Sequence, residues 1–153
     1  MKTTVSEPSI HKKYHKQIFA ALDQEPFAQF LGIKLKEVGE GSATAELVVK
    51  DHMLNSHGTV HGAILFSIAD YVFAAASNSY GKTAVGLSTN VNFMAPGLKG
   101  AVITASAVEE KRTNRIAWYN IRVESNGELL ATMEATAYRK NNYFVEVEEL
   151  GDI

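Results

Sequence analysis

A chain of 153 residues with a net charge of -2 and no cysteine fits one domain with a single core. Its charge offers no global field for nucleic acid or an anionic membrane, and the missing thiols exclude disulfides, thiolate metal sites and a cysteine nucleophile. Apolar residues at 46% and charged residues at 21% are ordinary for a globular protein, and the N-terminus lacks the apolar run of a signal peptide, so a cytoplasmic protein is expected.

In residues 9–24, Ile10, Tyr14, Ile18 and Leu22 recur at four-residue spacing. This predicts one amphipathic helix, N-capped by Ser9 after Pro8. Pro26 opens a second, short helical piece that Gly32 ends. From there the period becomes two. Ile33, Leu35 and Val38, the turn Gly39-Glu40-Gly41, and then Ala43, Ala45, Leu47 and Val49 predict a hairpin. After an irregular stretch, residues 61–79 read as a helix about 28 Å long, stopped by Gly81. It is apolar around most of its circumference and must be wrapped on several sides. Asp70 and the many Ala and Ser residues argue against a membrane span.

Strands are predicted at 83–94, 101–112, 115–125 and 128–140, with turns at Pro96-Gly97, Thr113-Asn114 and Asn126-Gly127. Beyond Lys140, Phe144, Val145 and Val147 alternate with glutamates, as in a further edge strand or a frayed end. The expected organisation is a single domain over 1–153, with an N-terminal helical segment at about 9–31, a core at about 32–140 and a tail at 141–153. The fold class is α+β: a curled antiparallel sheet wrapped around one long central helix. A second copy is expected to cover part of the outer sheet face or to extend the sheet.

Asp70 is the informative residue. It is the one carboxylate of the long helix, which holds no Lys or Arg to pair with it. A buried charge is costly unless it is paired, so this acid either bonds Ser67, Ser77 or backbone groups, or serves chemistry as a general base or nucleophile. Gly62, at the helix start, either permits close packing or bares first-turn N–H groups, which are donors suited to an oxyanion. His61 reads as a helix-start residue bonding locally, and Asn55 as an Asx turn. His57 and His61 stand at a spacing that could hold a metal on a continuous helix. Gly58 interrupts it and no third ligand is near in sequence, so no metal is expected.

Geometry adds a constraint. Gly62 and Asp70 are eight residues apart on one helix, hence about 12 Å along its axis. Both cannot touch one acyl group within a single chain. If both act, Asp70 of one subunit meets Gly62 of another across a two-fold dimer.

The stretch NSHGTVHGAILFSIADYVFAAASN, Asn55 to Asn78, together with the downstream AVGLSTNVNFMAP, resembles the phenylacetate-degradation (PaaI-like) acyl-CoA thioesterases of the hotdog-fold superfamily. The likeness covers about residues 30–140. It implies an acyl-CoA thioesterase acting without metal or redox cofactor, built as a homodimer or a dimer-of-dimers tetramer with sites at the interface. Asp70 would activate water or attack the thioester, Gly62 N–H would polarise its carbonyl from the partner subunit, Asn55 would orient water or thioester, and His61 would support the helix start. The family's second glycine after the histidine is Ala63 here. Where relatives often carry Ser or Thr beside the acid, this chain has Gly86, with Ser88 and Thr89 close by. Phe66, Phe73, Phe93 and Met94 would line the acyl pocket. Arg112 and Arg115, with Lys111, Arg139 and Lys140, are cations available to coenzyme A phosphates. The alternatives are a non-catalytic hotdog acyl-CoA-binding protein, a hotdog enoyl-thioester hydratase or dehydratase, and a purely structural dimer. No nucleic acid or membrane partner is expected.

Overall fold

The computed structural model describes residues 6–148. Three short helices open the chain: α1 (Glu7–Lys13), α2 (His15–Asp23) and α3 (Pro26–Leu31). The hairpin β1 (Lys34–Gly39) and β2 (Ser42–Val48) follows, then the long helix α4 (Gly62–Ser77). Four strands complete it: β3 (Lys82–Phe93), β4 (Val102–Arg112), β5 (Ile116–Ser125) and β6 (Glu128–Tyr143). Among the described residues no helix is long and apolar enough to cross a membrane.

The six strands form one antiparallel sheet in the order β1-β2-β4-β5-β6-β3. Its inward rows are buried and unusually small: Ala43 and Ala45 on β2, Ala105 and Ala107 on β4, Ala131, Ala135 and Ala137 on β6. Alanines there let the sheet curl close around α4, whose Leu65, Ile68, Val72 and Ala76 fill the space between. In β1 the register shifts between Leu35 and Glu37. This bulge explains why the apolar spacing runs from Leu35 to Val38, since the extra residue keeps both side chains inward.

Asn126 (φ 51°) and Gly127 (φ 77°) make the hairpin turn that their sequence predicts. The stretch at Pro96-Gly97 behaves differently. It carries the chain from β3, at the sheet edge, across to β4, which pairs with β2. Val60 N–H donates to Gly97 O at 2.9 Å, and a Cβ on Gly97 would lie 2.8 Å from the Val60 side chain.

Two expectations are corrected. The N-terminal helix breaks at Tyr14 (φ -108°, ψ 18°), and its N-cap is Ser6, whose Oγ accepts from Ser9 N–H at 3.4 Å. Proline fits inside a first turn because the N–H it lacks would be unpaired there anyway, so the helix begins before Pro8. The tail is neither a strand nor frayed over residues 144–148. Beyond Tyr143, the partner of Lys82, β6 has no further ladder partner. Phe144, Val145 and Val147 fold back on the stripe of Ile10, Tyr14 and Ile18, and Glu148 N–H donates to Tyr14 Oη at 3.0 Å. The last five residues of the expected tail lie outside the described residues.

An ionic cluster ties α1 to the sheet. Glu7 accepts from Arg112 Nε at 2.8 Å and from Arg139, which is 3% exposed. Arg112 also pairs with Glu109 at 2.7 Å and lies over the Tyr80 ring. Burial alone would raise the Glu7 carboxyl, but the guanidiniums of Arg139 and Arg112 outweigh it and hold Glu7 below the usual glutamate value. Glu7→Gln therefore leaves a buried guanidinium short of charge and should cost about 2–3 kcal/mol in a denaturant titration at neutral pH. Because the folded-state pKa is depressed, this contribution is present above the ordinary glutamate pKa and is lost as pH falls through the lowered one. The gap between wild type and variant should close over that acid range.

Candidate active site

The loop before α4 is built by Asn55. Its Oδ1 accepts from His57 N–H at 2.9 Å and Thr59 N–H at 3.2 Å, while its Nδ2 donates to Thr59 Oγ1 at 3.0 Å. Asn55 N–H and Thr59 O close the loop at 2.7 Å. Gly58 supplies the left-handed turn at φ 78°. This is the Asx-type organisation open to Asn55 from sequence, and it leads the chain into the helix at a defined angle.

His61 is the N-cap of α4. Its Nδ1 accepts from Ala63 N–H at 3.0 Å, so the ring proton of the neutral imidazole sits on Nε2. Ile64 N–H is taken by His61 O at 2.9 Å. Gly62 N–H is left without an acceptor among the described residues, at the positive end of a 16-residue helix. It opens on a depression of about 330 Å³ lined by Asn55, Thr59, Gly62, Phe93 and Met94 among others. A Cβ at Gly62 would stand 3.3 Å from the Phe93 ring. The missing side chain leaves that space to the Phe93 ring.

Asp70 lies two turns on, along the stripe of α4 that the sheet leaves uncovered: Ala63, Phe66 and Asp70. The serines that could have bonded it are used elsewhere. Ser67 Oγ donates to Ala63 O at 2.7 Å and Ser77 Oγ to Ala74 O at 3.2 Å. Asp70 is exposed in the single chain, and partial desolvation of its carboxyl still raises it above the usual aspartate value. Lying on one straight helix, Gly62 and Asp70 do not come together within a chain.

The remaining candidates separate. Phe66 is 37% and Phe93 57% exposed, both available to a ligand. Phe73 is instead a core residue, 2% exposed, edge-on to Tyr119 at 5.5 Å. It packs over Gly86, where a Cβ would sit 3.2 Å from its ring. A bulge between Gly86 and Ser88 resets β3, so Thr89 pairs with buried Ala135 and Ser88 with Thr136. Paired residues share a face; Thr89 is thus on the helix side and Ser88 on the outer side, away from α4. Arg112 is engaged by Glu7, Glu109 and Tyr80, past the C-terminal end of α4 and so at the opposite end of that helix from Gly62. Arg115 is exposed and donates to Tyr138 Oη at 3.1 Å. His57 sits in the loop before α4, so the two histidines do not share a helix face.

Sequence reasoning missed the turn between α2 and α3. Tyr71 Oη donates to Leu22 O at 2.9 Å, which fastens this turn to α4, and burial, then the Asp70 charge, raise the Glu25 carboxyl above the usual glutamate value. Nothing in the local pattern around Leu22 signals that long-range hydrogen bond.

A family model described as Thioesterase superfamily matches residues 57–138. The acyl-coenzyme A thioesterase PaaI of Escherichia coli is 34% identical over 113 residues, 74% of this chain and 80% of that protein. The structure of the E. coli PaaI protein from the phenylacetic acid degradation operon aligns with a TM-score of 0.81 at 29% identity, covering 90% of this chain and 99% of that one. A mutant of the phenylacetic acid degradation protein PaaI from Thermus thermophilus aligns with a TM-score of 0.74 at 38% identity, over 76% of this chain and 100% of that one.

The raised Asp70 pKa has a consequence for stability. Folding disfavours the ionised form, so the penalty is fully present above the folded-state pKa and absent below the ordinary aspartate value. Asp70→Asn should raise the thermal midpoint at neutral pH, and the difference should vanish in acid below the ordinary aspartate range. An equal midpoint at neutral pH would show that solvent at this exposed position cancels the penalty, and a lower one that the carboxylate is structurally paired.

Proposed function

The chain belongs to the thioesterase superfamily and has its hotdog fold, and from that premise we propose that it is an acyl-CoA thioesterase working as a homodimer, with each site shared between two protomers. The observation that carries this reading is the free Gly62 N–H facing an open depression on the same helix as an unpaired, partly desolvated Asp70. A two-fold axis beside α4 sets Asp70 of one protomer against Gly62 of the other. The uncovered stripe of Ala63, Phe66 and Asp70 supports such a contact. So does the 12-residue edge strand β3, whose Val85, Leu87 and Phe93 are 40–57% exposed.

In this site the thioester carbonyl oxygen takes the Gly62 N–H, which stabilises the oxyanion as it forms. Asp70 accepts a proton from water as the water oxygen bonds to the carbonyl carbon. The C–S bond then breaks, and the proton goes to the departing thiolate, giving a carboxylic acid and free coenzyme A. In the covalent variant of this step the Asp70 oxygen itself attacks, and water then hydrolyses the mixed anhydride. Single turnover in ¹⁸O-water separates the two, because only the covalent route can leave label in Asp70. The exposed rings of Phe66 and Phe93 and the Met94 side chain supply apolar walls for an acyl or aryl-acyl group. His61 holds the helix start through Ala63, and Asn55 holds the loop that frames the depression.

Asp70→Asn should lower kcat by about 10²–10⁴-fold on an acyl-CoA panel followed by thiol release. Gly62→Pro removes the donor itself. Proline suits the first helical position, and His61 (φ -61°, ψ 136°) already has the extended backbone proline requires of its predecessor. That variant should fold and lose about 10²–10³-fold in kcat. Mixed one-to-one and allowed to exchange subunits, the two inactive variants should regain about a quarter of wild-type activity, since each mixed dimer rebuilds one of its two sites. No recovery in verified mixed dimers would exclude a shared site.

A further inference from the structure

The end of β3 and the start of α4 are locked together through backbone. Val60 N–H donates to Gly97 O at 2.9 Å and His61 N–H to Met53 O at 2.8 Å, which fixes the entry to α4. Met94 N–H and Ala95 N–H both donate to the carbonyl of buried Leu130, at 2.8 and 3.2 Å, which fixes the exit from β3. Phe93 is the last residue of β3 and pairs with buried Ala131. Paired residues share a face, so its side chain is on the helix side. Outside its own helix, the three atoms nearest to a Cβ built on Gly62 all belong to the Phe93 ring, two at 3.3 Å and one at 3.7 Å. The ring therefore occupies the space that a side chain at Gly62 would take, yet it is 57% exposed and open to a ligand.

We propose that Phe93 is the specificity-determining residue at the acyl α-carbon: its ring, seated on Gly62, admits an unbranched acyl group beside the carbonyl and excludes one branched at the α-carbon. The inference rests on Gly62 N–H being the carbonyl donor of the proposed thioesterase.

Reach decides where the discrimination falls. With fixed bond lengths added, the nearest ring carbons lie within about 6 Å of the Gly62 nitrogen. A carbonyl oxygen bonded to that N–H stands about 2.9 Å from it. The carbonyl carbon and α-carbon follow at about 1.2 and 1.5 Å per bond. The α-carbon and its substituents thus share the ring's distance from the donor, whereas atoms further along the acyl chain extend past it. Lining chemistry selects the side. Phe93, Met94 and Leu65 give the depression an apolar part, and Asn55 and Thr59 a polar one. Acyl carbons gain by lying against the ring, and the amide-bearing arm of coenzyme A is left to the polar part. Because the backbone is locked on both sides, the strand cannot retreat. An α-branch has to turn the ring off Gly62 and loses the contact that holds both in place.

The test is kcat/KM by thiol release for butyryl-CoA and isobutyryl-CoA, which have the same atoms and differ only in the α-branch. Beside them, Kd is measured for the two ketone analogues with a methylene in place of the thioester sulfur, a readout that needs no turnover. Wild type should favour the straight chain by about 10–100-fold, the discrimination one methyl group commands in a fitted pocket. Phe93→Ala should bring that ratio to within about 3-fold in both readouts, chiefly by gain on the branched ligand. Phe93→Leu, which keeps an apolar side chain at the strand end, should fall between and carries the test if the alanine variant folds poorly. Gly62→Ala keeps the N–H but requires the ring to give by a few tenths of an ångström. Its cost in kcat/KM should be about 3-fold or more greater in wild type than in the Phe93→Ala background. An unchanged ratio in both Phe93 variants with turnover intact, or an equal cost of Gly62→Ala in the two backgrounds, would overturn the role of the ring and leave the thioesterase standing. A ratio that collapses for the ketone analogues, with neither ester hydrolysed by wild type, would instead uphold the ring and overturn the thioesterase.

Discussion

Covering α4 is the constraint on which the rest of the structure depends. Its 16 residues carry apolar groups on most of the helix circumference, and a single flat surface could cover only one side. The sheet answers by curling, and it can curl tightly because its inward rows are rich in alanine. What the sheet cannot reach is the stripe through Ala63, Phe66 and Asp70. Burying the helix in this way decides both where the core lies and where the one unpaired carboxylate of α4 is left accessible.

The two ends of α4 have opposite electrostatic characters. At the N-terminus the loop built by Asn55 and the cap made by His61 satisfy the first backbone donors except that of Gly62. A first-turn N–H without a protein acceptor at a positive helix end is a donor suited to an oxyanion. Beyond the C-terminus, Glu7, Glu109, Arg112 and Arg139 satisfy one another in a buried cluster, with Tyr80 and Tyr119 donating into it. That end is closed and structural, and it fastens the N-terminal helices to the sheet. The difference between the ends is one of completeness: spare donors mark the end open to a ligand.

How much was legible in the sequence follows the range of the forces involved. The period-two alternation of the strands, the extent of α4 and the Asn126-Gly127 turn are local, and their sequence positions agree with the structure to within a few residues. The separation of Gly62 and Asp70 was legible for a similar reason, since eight residues on one helix define it whatever surrounds them. Tyr14 breaks the first helix although its apolar stripe is continuous, and that stripe is covered by the tail, which no local pattern pairs with it. Arg112 looked like a free cation at a strand end; only the fold places Glu7, 105 residues away, within 2.8 Å of it. Phe73 and Ser88 looked equivalent to Phe66 and Thr89 in sequence, and burial in one case and a bulge in the other set them apart.

By itself the sequence determined an α+β chain with one acid in an apolar helix, a donor two turns before it, and the impossibility of the two meeting within one subunit. These depend on composition, periodicity and helical rise, which are properties of neighbours along the chain. Tertiary structure alone decided that β3 lies at the sheet edge beside β6, that Gly62 rather than Ala63 keeps the free N–H, and that the turn between α2 and α3 is fastened to α4 through Tyr71. Each of these depends on which distant groups satisfy a backbone donor or share a charge, and no local pattern encodes that.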